Sequence, residues 1–318
     1  MPSFQFGTGE RWALVSAVSY TAVAVLLRNA APTIDPALGS LVRLLPLAVI
    51  AWAIVFRSGA QELRPGSPRF LTWRLIGALL LGGSMSLVVG NILYFQALTT
   101  GGLGITAGAV QGGSVLGGLW IGYLALRERP RTEQVAGAAI IVAGLGAIAI
   151  AQAGSIKELW WVGLLLGIGA GTTYALANAI NRIVQRERPL LFIALAVSGL
   201  GGMVPLAIIV GARQVMGEAI VADAASIGSV LVAGVANAVA LASLALAVRT
   251  APVASVNTIS SASVVFAFVA SVLVFGESGS VPMIAGILLV TAGIVASQLR
   301  RASATPPADP AIPPEAVT

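Results

Sequence analysis

One charged side chain, Arg43, falls well inside a long apolar run, 37–56, about 9 Å from its nearer end at 1.5 Å per residue. A guanidinium in hydrocarbon costs at least ~2.5 kcal/mol on insertion scales, so Arg43 must face the protein interior and find a partner. Its two-pronged donor geometry suits a substrate carboxylate or phosphate. The competing reading is a structural arginine that snorkels outward or caps backbone carbonyls. Around it the sequence scatters uncharged polar groups through other apolar runs: Tyr20, Asn91, Tyr94, Gln111, Tyr174, Asn178, Asn237 and Asn257. Tyr94 follows Asn91, and Asn178 follows Tyr174, by one helical turn, so each pair shares a helix face. An amide facing lipid would be left unsatisfied, so these groups point inward. Any one of them taken singly is better explained by a hydrogen bond between helices, typically worth ~0.6 kcal/mol. As a set they predict a polar-lined pathway, with these eight residues and Arg43 as the candidate substrate-binding set. Ser260, Ser261 and Ser263 extend the polar run that begins at Asn257.

Other chemistry is excluded by absence. The chain has no cysteine and no histidine, which removes disulfides, thiol nucleophiles, Ser-His-Asp triads and imidazole-held metals. No phosphate-binding loop occurs, and Lys157 lies between apolar runs. No catalytic residue, metal site or cofactor is therefore expected, and the chain does not read as an enzyme. Ser260-Ser261 without a base is not a dyad.

The elements that must hold these residues are membrane spans. Of 318 residues, 57% are hydrophobic and 9% charged, against roughly a quarter charged in soluble domains. Residues 75–126 contain no Asp, Glu, Lys or Arg. A spanning helix needs about 20 apolar residues. Charge clusters and Pro/Gly turns divide the chain into ten expected spans: 12–30, 37–56, 73–98, 102–125, 133–152, 160–181, 190–211, 227–248, 253–274 and 280–299. The first run reads as a span and not as a cleavable leader. The net charge of +6 comes from short-loop arginines, which orient spans and do not imply nucleic acid. With a cytoplasmic N-terminus, fourteen arginines fall on the inner side against Arg28, Lys157 and Arg213 on the outer. That bias places both termini in the cytoplasm. The tail 301–318 holds five prolines and is expected to be disordered.

The halves repeat. Arg127-Glu128, Gly137 and Gly144 align with Gly276-Glu277, Gly286 and Gly293 at a constant offset of 149, and Trp12 aligns with Trp161. Tyr20 and Arg28 recur as Tyr174 and Arg182, shifted by five residues. Five spans per half is an odd number, so the second half must enter from the opposite face. The predicted fold is an all-α membrane protein of ten transmembrane helices in a 5+5 inverted repeat. Its first repeat is 1–152 and its second 153–300. Glu128 should then face the cytoplasm and Glu277 the outside.

The segment from Ala97 to Ile150 and its echo from Ala247 to Ser297 resemble the two EamA domains of the drug/metabolite transporter superfamily. The resemblance rests on a short turn into a Gly/Ser-rich helix, a "RE/GE" helix end and a "G…AG" final helix. It implies a carrier in a bacterial inner membrane, with a central cavity among helices 1–4 and 6–9 and with helices 5 and 10 at the periphery. Many members carry a proline in helices 4 and 9, where this chain reads Gln111-Gly112-Gly113 and Ser260-Ser261-Ala262.

Gly163, Gly167 and Gly171 form a small-residue ridge on helix 6, as do Gly82, Ser86 and Gly90 on helix 3. Such ridges mean close helix approach, and they leave a homodimer open without showing one. Pro46 and Pro205 sit in corresponding helices of the two halves and can kink them. The expected partners are the lipid bilayer and a small-molecule substrate, plausibly an amino acid or a related polar or amphipathic metabolite, moved as secondary transport and often outward. The alternative is a polytopic protein that transports nothing. With no histidine and no acid inside a span, uniport, exchange or drive by substrate charge is expected ahead of proton coupling.

Overall fold

A computed structural model describes residues 7–57, 61–125, 127, 129–152, 159–187, 191–250, 253–277 and 279–298. The tail 301–318 and Glu128 lie outside them. The described residues form ten α-helices: α1 (Thr8–Ala30), α2 (Pro36–Arg57), α3 (Trp73–Gly83), α4 (Asn91–Ala125), α5 (Thr132–Gln152), α6 (Trp160–Glu187), α7 (Leu191–Val215), α8 (Ala224–Thr250), α9 (Val253–Phe275) and α10 (Val281–Gln298). A π-helical turn, Ser84–Gly90, joins α3 to α4. Eight helical stretches are long and apolar enough to cross a membrane, and Ile259–Phe275 is a shorter apolar one. Large apolar side chains stand exposed around the outside, among them Val49, Ile150, Ile208 and Leu273. In water such a surface would drive aggregation; a bilayer is the solvent that suits it.

The stretch Trp73–Leu124 runs 52 residues. Straight, it would measure about 78 Å, far more than a ~30 Å hydrocarbon core. It is not straight. Gly102 has φ 81° and ψ 177°, which no helix contains. Packing on α6 shows the chain reversing there. Before Gly102, Gly82 meets Ile180 and Gly90 meets Tyr174, so this arm is antiparallel to α6. After it, Gly167 meets Ala109 and Gly117 meets Thr172, so the second arm runs parallel to α6. Counting the two arms separately, the described helices give ten segments whose directions alternate.

The contacts exchange when the halves are swapped. α1 packs on α8 and α9, while α6 packs on the arm before Gly102 and the arm after it. α2 packs on α7, the second arm of α4 on α9, and α5 on α10. Each of these three corresponding pairs runs antiparallel: Asp35 meets Arg213, Leu103 meets Glu277, and Gly144 meets Gly286. Two ends follow from this course. At one, called here the tied end, Ile34 bridges Ala222 and Asp35 pairs with Arg213. At the other, Ala13, Ala247 and Val256 cluster, as do Val55, Leu71 and Val184.

The small-residue ridge on α6 lies against α4, as its spacing predicts. Of the ridge expected on the third span, Gly82 and Gly90 also lie against α6. Ser86 falls within the π turn, and Gly83 turns away from α6 to meet Ser198 of α7. Pro46 and Pro205 lie inside α2 and α7, both of which continue through them. Pro46 packs on Gly234 of α8.

Candidate functional site

A cavity of about 470 Å³ lies among α1, α2, both arms of α4, α6, α8, α9 and α10. Arg43 supplies the one charge lining it among the described residues. Two amides hold the guanidinium: Nη1 donates to Asn91 Oδ1 at 3.5 Å and Nη2 to Asn237 Oδ1 at 3.3 Å. Its Cζ also stands 6.0 Å from the Tyr94 ring centroid, within cation–π range.

Asn91 is a hub. Its side chain accepts from Arg43 and from the Tyr174 hydroxyl, the latter at 2.8 Å, and the residue is 3% exposed. The π turn positions it: the Asn91 amide reaches back five residues to the Ser86 carbonyl, which offsets the helical register just ahead of it. Tyr94, one turn on, then reaches the cavity.

Tyr20, Arg43, Tyr94, Gln111, Tyr174 and Asn178 line the cavity as the sequence pattern expects. Asn91 and Asn237 instead stand behind Arg43 and hold it. The Asn257 side chain lies outside the described residues. Sequence reasoning passed over Ser114 and Gln298 as lining groups. Neither signals itself, because a single serine within a helix and a glutamine at a helix end are both ordinary. The buried Ser260 Oγ and Gln298 Oε1 find no hydrogen-bond partner among the described residues, so both can meet a ligand. The peripheral position expected for helix 10 needs correction: Ile294 and Gln298 reach the cavity, because α10 packs on α9 and α4 as well as on α5.

The cavity is closed toward the tied end and reaches the other. Above it, Leu27, Ala30, Phe95, Leu98 and Leu103 form a fully buried apolar plug. Beyond the plug sits a polar clasp. The Leu103 and Gly104 amides donate to Glu277 Oε1 and Oε2 at 2.8 and 2.9 Å, and Arg28 Nε donates to Oε1 at 3.4 Å. Glu277 thus caps the second arm of α4, where free N–H groups and the helix dipole favour a carboxylate. The Arg28 guanidinium also stands 5.8 Å from the Phe275 ring centroid. In the other direction the lining continues through Asn178, Leu244, Ser260 and Gln298, toward the far ends of α6, α8, α9 and α10. Asn178 is exposed there.

The EamA-like transporter family matches twice, over residues 7–150 and 161–297. A solved crystal structure shares the fold, with a TM-score of 0.60 at 17% identity, over 91% of this chain and 96% of the other. No curated protein matches the sequence.

Proposed function

This chain belongs to the EamA-like transporter family, and on that premise we propose that it is a secondary carrier moving a small metabolite by alternating access. The observation that carries the reading is a polar-lined cavity at mid-depth, stoppered at one end and reaching the other. It lies between two halves whose corresponding helices run in opposite directions. Halves related in this way can exchange conformations, so that the stoppered side opens as the other closes. On this reading the ten alternating segments are ten crossings, with repeats 1–152 and 153–300 inverted in the membrane. The chain sits in a bacterial inner membrane with both termini in the cytoplasm. The tied end then faces outward, and the described conformation opens to the cytoplasm.

Tyr20, Arg43, Tyr94, Gln111, Tyr174 and Asn178 contact the substrate, and Asn91 and Asn237 position Arg43. Glu277 and Arg28 latch the outer side. No Asp or Glu among the described residues lines the cavity. Uniport, exchange or drive by substrate charge therefore suits the site better than proton coupling.

The test is reconstitution. A metabolite that raises the melting temperature of the purified protein should show saturable counterflow in liposomes, unaccelerated by a pH gradient at fixed voltage. Flux that never saturates would favour a pore, and absence of flux for every stabilising compound would favour a protein that transports nothing.

A further inference from the structure

Arg43 puts one positive charge on the cavity wall, and its neighbours leave that charge uncompensated. Its near partners are two amide oxygens and the phenols of Tyr94 and Tyr174, and no carboxylate lines the cavity among the described residues. A cavity-lining charge with only neutral partners sets up a positive potential, which draws anions in and repels cations. The remainder of the wall mixes hydroxyls and amides with an apolar part, made by the rings of Tyr20, Tyr94 and Tyr174 and by aliphatic side chains such as Val110 and Val264. At about 470 Å³ the cavity is metabolite-sized.

Resting on the carrier reading above, we infer that the substrate class is amphipathic monoanions: one carboxylate or similar oxyanion held by Arg43, with an aliphatic or aromatic body against the apolar wall. This separates the substrate from zwitterionic amino acids, whose ammonium group would meet the Arg43 potential with no carboxylate to offset it. It also supplies a driving force. A monoanion leaving a cell whose interior is negative gains about 2.3 kcal/mol per 100 mV, an outward gradient of roughly fifty-fold, with no coupling ion. The lack of an acid lining the cavity among the described residues, in a chain without histidine, is then part of the mechanism, since no proton has to be carried.

The test compares ligands that share a skeleton and differ in charge. Purified full-length protein at pH 7.5 is titrated with 3-phenylpropionate, 3-phenylpropionamide, phenylalanine and 3-phenylpropylamine. Monocarboxylates from butyrate to octanoate are run beside their amides. At least one acid should bind tighter than its amide by about tenfold or more, and 3-phenylpropionate should bind tighter than phenylalanine or the amine. Arg43→Lys should retain the preference for acid over amide, and Arg43→Gln should abolish it. Phenylalanine binding as tightly as 3-phenylpropionate would overturn the assignment. So would an acid preference that survives Arg43→Gln, or no response to any acid. The wild-type comparison stands even if the variants fail to fold. Concentration jumps on supported proteoliposomes provide the separate arm, because passive entry of neutral acid carries no current. A negative charge displacement with the acid and none with the amide supports both readings. Acid-selective binding without displacement or counterflow keeps the anion site and removes the carrier. Counterflow of phenylalanine with none of any acid does the reverse.

Discussion

Arg43 is held by Asn91, which is buried, and by Asn237, which is half-buried, so damage to those partners should be measurable apart from damage to Arg43. Replacing Asn91 with Leu removes one of the two amide acceptors of Arg43 and strands the Tyr174 hydroxyl that now donates at 2.8 Å. Leaving a buried donor unpaired costs about 1–3 kcal/mol. The expected result is a lower melting temperature together with weaker binding of any ligand that needs Arg43. Asn237→Ala removes only the 3.3 Å bond to Nη2. It should weaken ligand binding with a smaller loss of stability, and the two variants measured side by side by thermal unfolding and titration check this ordering. If Asn91 and Asn237 lined the cavity as direct contacts, their effects would instead depend on which ligand was bound. The polar character of both residues was legible in the sequence. Their role behind Arg43 was not, because bonds across 48 and 194 positions depend on how α2, α4 and α8 cross.

At the scale of elements, the hairpin at Gly102 does most to shape the molecule. Its φ of 81° lies in the left-handed region, and a side chain there would run into the Glu277 carboxylate. Gly102→Ala should therefore cost about 1–3 kcal/mol from backbone strain alone, and more once Glu277 is pushed off the helix end. Gly146 in α5 faces open space, so Gly146→Ala is the matched control and should be neutral or stabilising. Thermal unfolding of the two variants reads the difference. Glu277→Gln keeps the size of the clasp but removes its charge, weakening the hold on the Leu103 and Gly104 amides and on Arg28. In a carrier this change should favour the conformation open at the tied end, read as altered accessibility of a cysteine placed beside the plug. At the start of α8, the Ser226 amide donates to Asp223 Oδ1 at 2.6 Å, which holds the Asp223 carboxyl below its usual range. A carboxyl depressed by folding stabilises above its unfolded value, near 3.9, and that contribution disappears as pH falls through the folded value. The stability gap between wild type and Asp223→Asn should therefore be present at pH 6 and close as pH drops below about 4.

For the whole molecule, the prediction concerns sides. The chain has no native cysteine, so single cysteines report cleanly. With the tied end outward, Pro32→Cys, at an exposed position in the α1–α2 turn, should react with an impermeant maleimide added to intact cells. Arg64→Cys, in the exposed connection to α3, should react only after permeabilisation. Asn178→Cys should also label from the cytoplasmic side, and a saturating ligand should protect it. Labelling of Pro32→Cys and Arg64→Cys from the same side would break the alternation of segments and, with it, the inverted arrangement of the halves.

Composition alone determined that this chain lives in a bilayer, since 9% charge cannot cover a soluble surface of this size. Hydropathy runs marked an all-helical membrane chain and the 149-residue offset its doubling, because both are local or periodic properties readable without knowing any contact. Glu277 was visible at a span end, and Arg43 stood out as a charge among apolar residues. Tertiary structure alone decided what each of them touches. It decided that Glu277 caps a helix reached through a glycine turn 175 positions earlier, that α10 joins the cavity wall, and that the cavity reaches only one end. Those outcomes follow from crossing angles and from one backbone reversal. They bring together groups far apart in the chain, which hydropathy, summed residue by residue, does not register.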